Sequence, residues 1–209
     1  MSRKILLIGG GGHCKSVLDS LLYYDDISEI GIIDQEANLE KKVNGIPIIG
    51  SDKDIPRFLS MGYNEAFVTL GSSRQRRVFF QTISNLGFGI PVIIDKSAII
   101  SEDVKIGSGS FIGKRAIINA GASLGEGVIV NSGAIVEHDC IIGDFAHVSP
   151  GTVLCGEVEI GKDTQVGANS VVRQRVKIGS STTVGMGSVV LKNISDNVVA
   201  YGNPCKVVR

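Results

Sequence analysis

Tryptophan is absent from the 209 residues, and histidine, cysteine and proline are scarce at three, four and five. The cysteines, Cys14, Cys140, Cys155 and Cys205, lie far apart with no C-x-x-C pair, which excludes a zinc knuckle or a disulfide framework and predicts reduced, mostly buried thiols. Neither charge predominates, with 21 Lys plus Arg against 21 Asp plus Glu spread alike over both halves. That balance excludes a basic face for nucleic acid or an anionic membrane, and points to a small polar partner. Long apolar runs are missing too. The start MSRKILLIGGGG has four apolar residues before its glycines, too short for a signal peptide or a membrane span, so a cytoplasmic protein without membrane insertion is expected. With 43% hydrophobic residues, the chain can build one large core or two small ones.

What is plentiful is glycine, 27 residues, and much of it falls in a repeat. From Ala98 to Asn193 the sequence divides into 16 consecutive six-residue units without an insertion, among them AIVEHD, CIIGDF, AHVSPG and TVLCGE. The third position is always Ile, Leu or Val, the first is Ala, Val, Ser, Cys or Thr, and the fourth is glycine in half the units. An inward aliphatic every sixth residue suits short flat strands joined at corners. Three sides then make an 18-residue coil, and coils stack at the strand spacing of roughly 4.8 Å.

Upstream, KILLI (residues 4–8) reads as a buried strand, Gly9 to Gly12 and His13 as a glycine loop, and CKSVLDSLL as a helix. EIGIID, ending at Asp34, is a second strand. EAFVTLG followed by SSRQRRVFFQTISNLGF repeats the strand-to-helix alternation, so a small parallel sheet of Rossmann-like α/β type is expected. Glycines let a backbone approach phosphate, and the helix that follows presents free N–H groups. Asp34 stands where a ribose-binding acid stands in a dinucleotide fold. About 95 residues are nevertheless short for a complete NAD site with a hydride acceptor pocket. The expected domains are residues 1–95 and 96–209.

The chain resembles, over its whole length, bacterial sugar acetyltransferases that act on UDP-4-amino sugars, with sialic acid O-acetyltransferases as relatives. The match is carried by Gly9 to His13, Asp34, Leu70-Gly71-Ser72, Glu137-His138-Asp139, Ala146-His147-Val148-Ser149 and Gly202-Asn203-Pro204-Cys205-Lys206. The resemblance implies a left-handed parallel β-helix and a homotrimer with acetyl-CoA between subunits. It implies that Gly11, Gly12, His13, Asp34, Gly71 and Ser72 hold a nucleotide-sugar substrate. Gly167, Ala168 and Gly185 would border the pantetheine, and Lys206 would approach the phosphates of CoA. Cys14 stands where relatives often have glycine, and UDP, dTDP and GDP all remain open.

Amine acylation needs a base, and His138 between Glu137 and Asp139 is the candidate, with Asp139 orienting the ring. Gly156 lies 18 residues on, one coil above at the same corner, and in the resembled family a glycine at this place donates its N–H to the thioester oxyanion. His147 is half a coil from His138, so a shared site requires a neighbouring subunit. Direct attack by the amine, without a cysteine intermediate, is the simpler course. Some hexapeptide β-helices are similar to carbonic anhydrases that bind zinc through three histidines; with two in the repeat, no metal is expected. The reading is an acetyl-CoA-dependent N-acetyltransferase of the 4-amino group of a nucleotide-linked deoxysugar. The alternative is O-acetylation of sialic acid or a related surface sugar.

Overall fold

The computed structural model describes residues 3–209, the side chain of Ala37 excepted, and the chain divides into two compact units between Ile93 and Ile94. In the first unit, β1 (Arg3–Ile8) leads through the glycine loop into α1 (Gly12–Leu21), then β2 (Ile27–Ile33), β3 (Lys42–Val43), β4 (Ile46–Gly50), α2 (Ile55–Ser60), β5 (Glu65–Val68) and α3 (Ser73–Asn85). The sheet order is β3-β4-β2-β1-β5, parallel except for the β3–β4 hairpin. Ile5, Leu6, Leu7, Ile32 and Ile33 are fully buried, as expected of parallel strands covered on both faces. The hairpin is an addition to the sequence reading. Its Asn44-Gly45 turn has φ of 47° and 85°, the left-handed pair that brings an antiparallel strand back in two residues.

The second unit is a left-handed parallel β-helix. Its two-residue strands form three faces. Face 1 runs from Ile99–Ile100 to Val189–Val190, face 2 from Lys105–Ile106 to Lys177–Ile178, and face 3 from Ile93–Ile94 to the closing strand Lys206–Val207. Pairing is in register at 18 residues, as in Ile117 with Ile135 and Ile135 with Val153. The last coil is shorter, since Thr183 pairs with Val199. Third-position aliphatics from Ile112 to Val190 are at most 3% exposed. Buried first-position hydroxyls do not stay unpaired. Ser110, Thr152 and Ser170 donate to the carbonyls of Gly125, Gly167 and Gly185 at 3.0–3.1 Å, which is why serine and threonine are tolerated among the small residues there.

Corner chemistry differs from simple relief of the backbone by fourth-position glycine. The left-handed φ falls on the sixth residue of the unit, for example Asp139 at 60°, Glu157 at 61° and Arg175 at 62°. Fourth-position glycines are bare because the next coil is too close. A Cβ on Gly107 would meet Gly125 backbone at 2.5 Å, and one on Gly143 would meet Lys162 N at 2.7 Å.

Candidate active site

In the α/β unit the candidate residues gather at the carboxyl ends of β1, β2 and β5, where the strand order turns back on itself. Gly9 has φ of +104° and sits against Leu70, and the Thr69 hydroxyl donates to the carbonyls of Ile8 and Gly9, so the two loops adjoin. Asp34 accepts from Gly10 N at 2.9 Å and Gln35 N at 2.7 Å, so its carboxylate shapes the loop. Gly11, Gly12 and Gly71 are different: none has a positive φ, and a Cβ on any of them would meet nothing within 4 Å. Neither conformation nor packing asks for glycine there. Gly11 also caps α1 without any side-chain acceptor, leaving the helix start open. Cys14, by contrast, points into the core with its thiol pushed up to about 11 by burial, away from the loop surface.

In the β-helix, His138 lies at the corner between faces 1 and 2 and is solvent-exposed. Its Nδ1 is 2.9 Å from Asp139 Oδ2, which places the proton on Nδ1 and the lone pair on Nε2. One coil up, a Cβ built on Gly156 would fall onto Nε2 and Cε1 of this ring, so the imidazole rests on the glycine. The Gly156 N–H has no acceptor among the described residues. The Asp139 hydrogen bond, reinforced by the charges of Asp139, Glu137 and Glu157, holds the His138 pKa above the ordinary imidazole value. Beside the corner is a cleft of about 370 Å³ lined by Asp139, Ile141, Glu157, Glu159, Arg175 and Lys177.

His147 occupies face 3, not this corner. Its partner Asn131 was not evident from motif reading, although it follows the strand that pairs with His147. Asn131 Oδ1 accepts from Ser132 N at 2.8 Å, which turns its amide nitrogen toward His147 Nε2 at 3.2 Å. Asn131, Gly167 and Gly185 line the corner between faces 3 and 1.

Residues 4–83 match the family described as the PglD N-terminal domain. Residues 103–138 and 157–192 match the hexapeptide repeat of succinyl-transferase and the bacterial transferase hexapeptide. PerB from Caulobacter crescentus, solved with CoA and GDP-perosamine, superimposes with a TM-score of 0.94 at 33% identity, covering 99% of this chain and 97% of that one. The acetyltransferase domain of PglB from Neisseria gonorrhoeae, solved with acetyl coenzyme A, gives 0.93 at 36% identity with both chains covered completely. No curated protein sequence matches the chain. The chain belongs to the hexapeptide-repeat acetyltransferases with a PglD-type N-terminal domain.

In this acetyltransferase the bareness of the Gly167 and Gly185 edge has a packing cause. A Cβ on Gly167 would meet Met186 N at 2.6 Å, and one on Gly185 would meet Tyr201 Cβ at 2.6 Å. The edge expected to border the pantetheine also carries bulk, since Met186 is 80% and Tyr201 55% exposed. Ala168 beside them is half-buried, and Lys206 pairs with Tyr201 in the closing strands. Cys140 is buried, with its thiol at about 11, and donates to Cys155 O at 3.3 Å, the behaviour of a packed first-position residue and not of a nucleophile. Among the described residues no cluster suited to a metal ion occurs, and no helix is long and apolar enough to cross a membrane.

Proposed function

We propose that this acetyltransferase transfers the acetyl group of acetyl-CoA to the 4-amino group of a nucleotide-linked amino deoxysugar in the cytoplasm. The observation that carries the reading is the His138 corner, with Nδ1 tied to Asp139 and Nε2 facing the coil whose Gly156 N–H is open. The neutral amine attacks the thioester carbonyl as Nε2 takes its proton. Gly156 N–H stabilises the oxyanion, an interaction of roughly 3–4 kcal/mol in comparable sites. Collapse forms the amide C–N bond and breaks the C–S bond. The proton on His138 then passes to the departing thiolate of CoA.

The surroundings of His138 favour nitrogen over oxygen as the acceptor. Glu137 and Asp139 place negative charge beside His138, whereas Glu157 is paired with Arg175 at 2.9 Å; that charge attracts a sugar ammonium and repels the carboxylate of a sialic acid. An assay of acetyl-CoA consumption across UDP-, dTDP- and GDP-linked 4-amino sugars and free sialic acids tests the reading. Turnover with sialic acid alone would overturn it.

The partner copy follows from face 1. Its outward second positions, Ile99, Ile117, Ile135, Val153, Val171 and Val189, are all aliphatic and all at least partly accessible, whereas face 2 presents Lys105, Ser123, Ile141, Glu159 and Lys177. Packing face 1 about a threefold axis parallel to the coils buries that stripe. It also brings the His138 corner of one copy toward the Asn131, His147 and Gly167 edge of the next. Acetyl-CoA would lie in that cleft, beside Ala168 and Gly185, with its phosphates toward Lys206.

Two smaller effects are expected. Asp139→Asn removes the main cause of the raised His138 pKa, so the acid limb of the pH profile of kcat/KM moves to lower pH and the plateau falls modestly. A limb that stays in place would show that Asp139 does not tune the base. Gly11→Val fits the fold, because the position is open and its φ is −79°, yet it obstructs a phosphate at the loop. KM for the nucleotide sugar should rise about tenfold, the scale of one charge-assisted hydrogen bond, with KM for acetyl-CoA unchanged. An equal rise in both constants would contradict this division of labour.

A further inference from the structure

Arg76 heads the fully buried side chains by size, at 1% exposure, and occupies the apolar stripe of α3 four residues before Phe80. Burying a guanidinium is expensive unless its donors are used. Here it donates to Leu70 O at 3.2 Å and Gly71 O at 2.9 Å, the carbonyls just ahead of the N-cap Ser72.

That arrangement has a consequence on the other side of the backbone. In a trans peptide the C=O and the following N–H point in opposite directions. Drawing the Leu70 and Gly71 carbonyls toward Arg76 therefore turns the N–H groups of Gly71 and Ser72 the other way. Neither N–H has an acceptor among the described residues, and the space beside Gly71 is open. Across the adjoining loop, Gly11 and Gly12 likewise carry N–H groups without acceptors. Two pairs of unclaimed donors, each at the start of a helix, thus flank the point where the sheet order reverses.

We infer that Arg76 is a positioning residue for the diphosphate of the nucleotide sugar. It holds the Leu70-Gly71-Ser72 strand end so that a second set of N–H groups, opposite the glycine loop, faces the phosphates. The inference rests on the nucleotide-sugar reading and adds to it a buried residue that touches no substrate. Its charge adds to the positive field at the crevice without entering it.

The test is calorimetric titration of the intact protein with UDP, dTDP and GDP and with the matching nucleosides, for wild type, Arg76→Lys and Gly71→Val. Gly71→Val meets no neighbour and keeps the test available if Arg76→Lys unfolds. Both variants should weaken diphosphate binding about tenfold, the scale of one charge-assisted hydrogen bond. Nucleoside binding should stay within about twofold, an expectation from the same scale. KM for the nucleotide sugar should rise while kcat and KM for acetyl-CoA hold. Equal weakening of nucleoside and diphosphate, or no weakening, would overturn the positioning role alone. Wild type that binds none of the three diphosphates would overturn the functional reading together with it.

Discussion

Replacing His138 with alanine is expected to lower kcat by about 10²-fold or more, the usual worth of a positioned general base, with little change in either KM. The side chain is solvent-exposed at its corner, so the fold and melting temperature should hold. Loss of rate then reports chemistry and not unfolding. The Asp139 hydrogen bond fixes the tautomer whose Nε2 is available, and His147, the other imidazole of the β-helix, sits on a different face with Nε2 facing Asn131. Steady-state kinetics with thermal melting checks the expectation. Wild-type turnover in the variant would remove His138 from the mechanism.

Ile135→Glu is expected to be equally severe by a different route. Ile135 lies in the middle of the outward aliphatic stripe of face 1, paired in register with Ile117 below and Val153 above. Its side chain points away from the core, so a carboxylate there leaves the coil intact. At the proposed threefold packing surface it would place an uncompensated charge in an apolar contact, which costs several kcal/mol per copy. If the proposed trimer forms, light scattering should show trimeric wild type and monomeric variant, and activity should fall with the loss of the proposed intersubunit cleft. A monomeric wild type with full activity, or a variant that stays trimeric, would refute this packing.

The β-helix was legible because its signal is local and periodic. An aliphatic third position in all 16 units from Ala98 to Asn193 leaves one way to bury these side chains, and the observed register of 18 residues follows it. The same arithmetic put Gly156 over His138, where the structure has it. The strand, glycine loop and helix at residues 4–22 were legible for a similar reason, since pattern and turn chemistry coincide. The β3–β4 hairpin was not read, because strands of two and five residues are too short to show a period.

The meaning of single residues was less accessible. A glycine in sequence does not say why it is bare. Gly167 and Gly185 are bare because the next coil touches them, whereas Gly11 and Gly71 are bare with nothing near. Arg76 reads as one more charge in SSRQRR, and only the helix placed against the strand end shows it buried under two carbonyls.

The sequence by itself therefore determined the class of fold, the coil period and the corner on which His138, Asp139 and Gly156 fall, because these depend on spacing along the chain. Only the tertiary structure decided that His138 presents Nε2 to Gly156, that Asn131 partners His147, that the outward aliphatics collect on one face, and which glycines are open to a ligand. Each of these depends on what lies across a coil or across a sheet, at sequence separations of 16, 18 or more than 60 residues. Which side chains meet at such distances is set by how coils and strands stack, beyond the spacing that the repeat supplies.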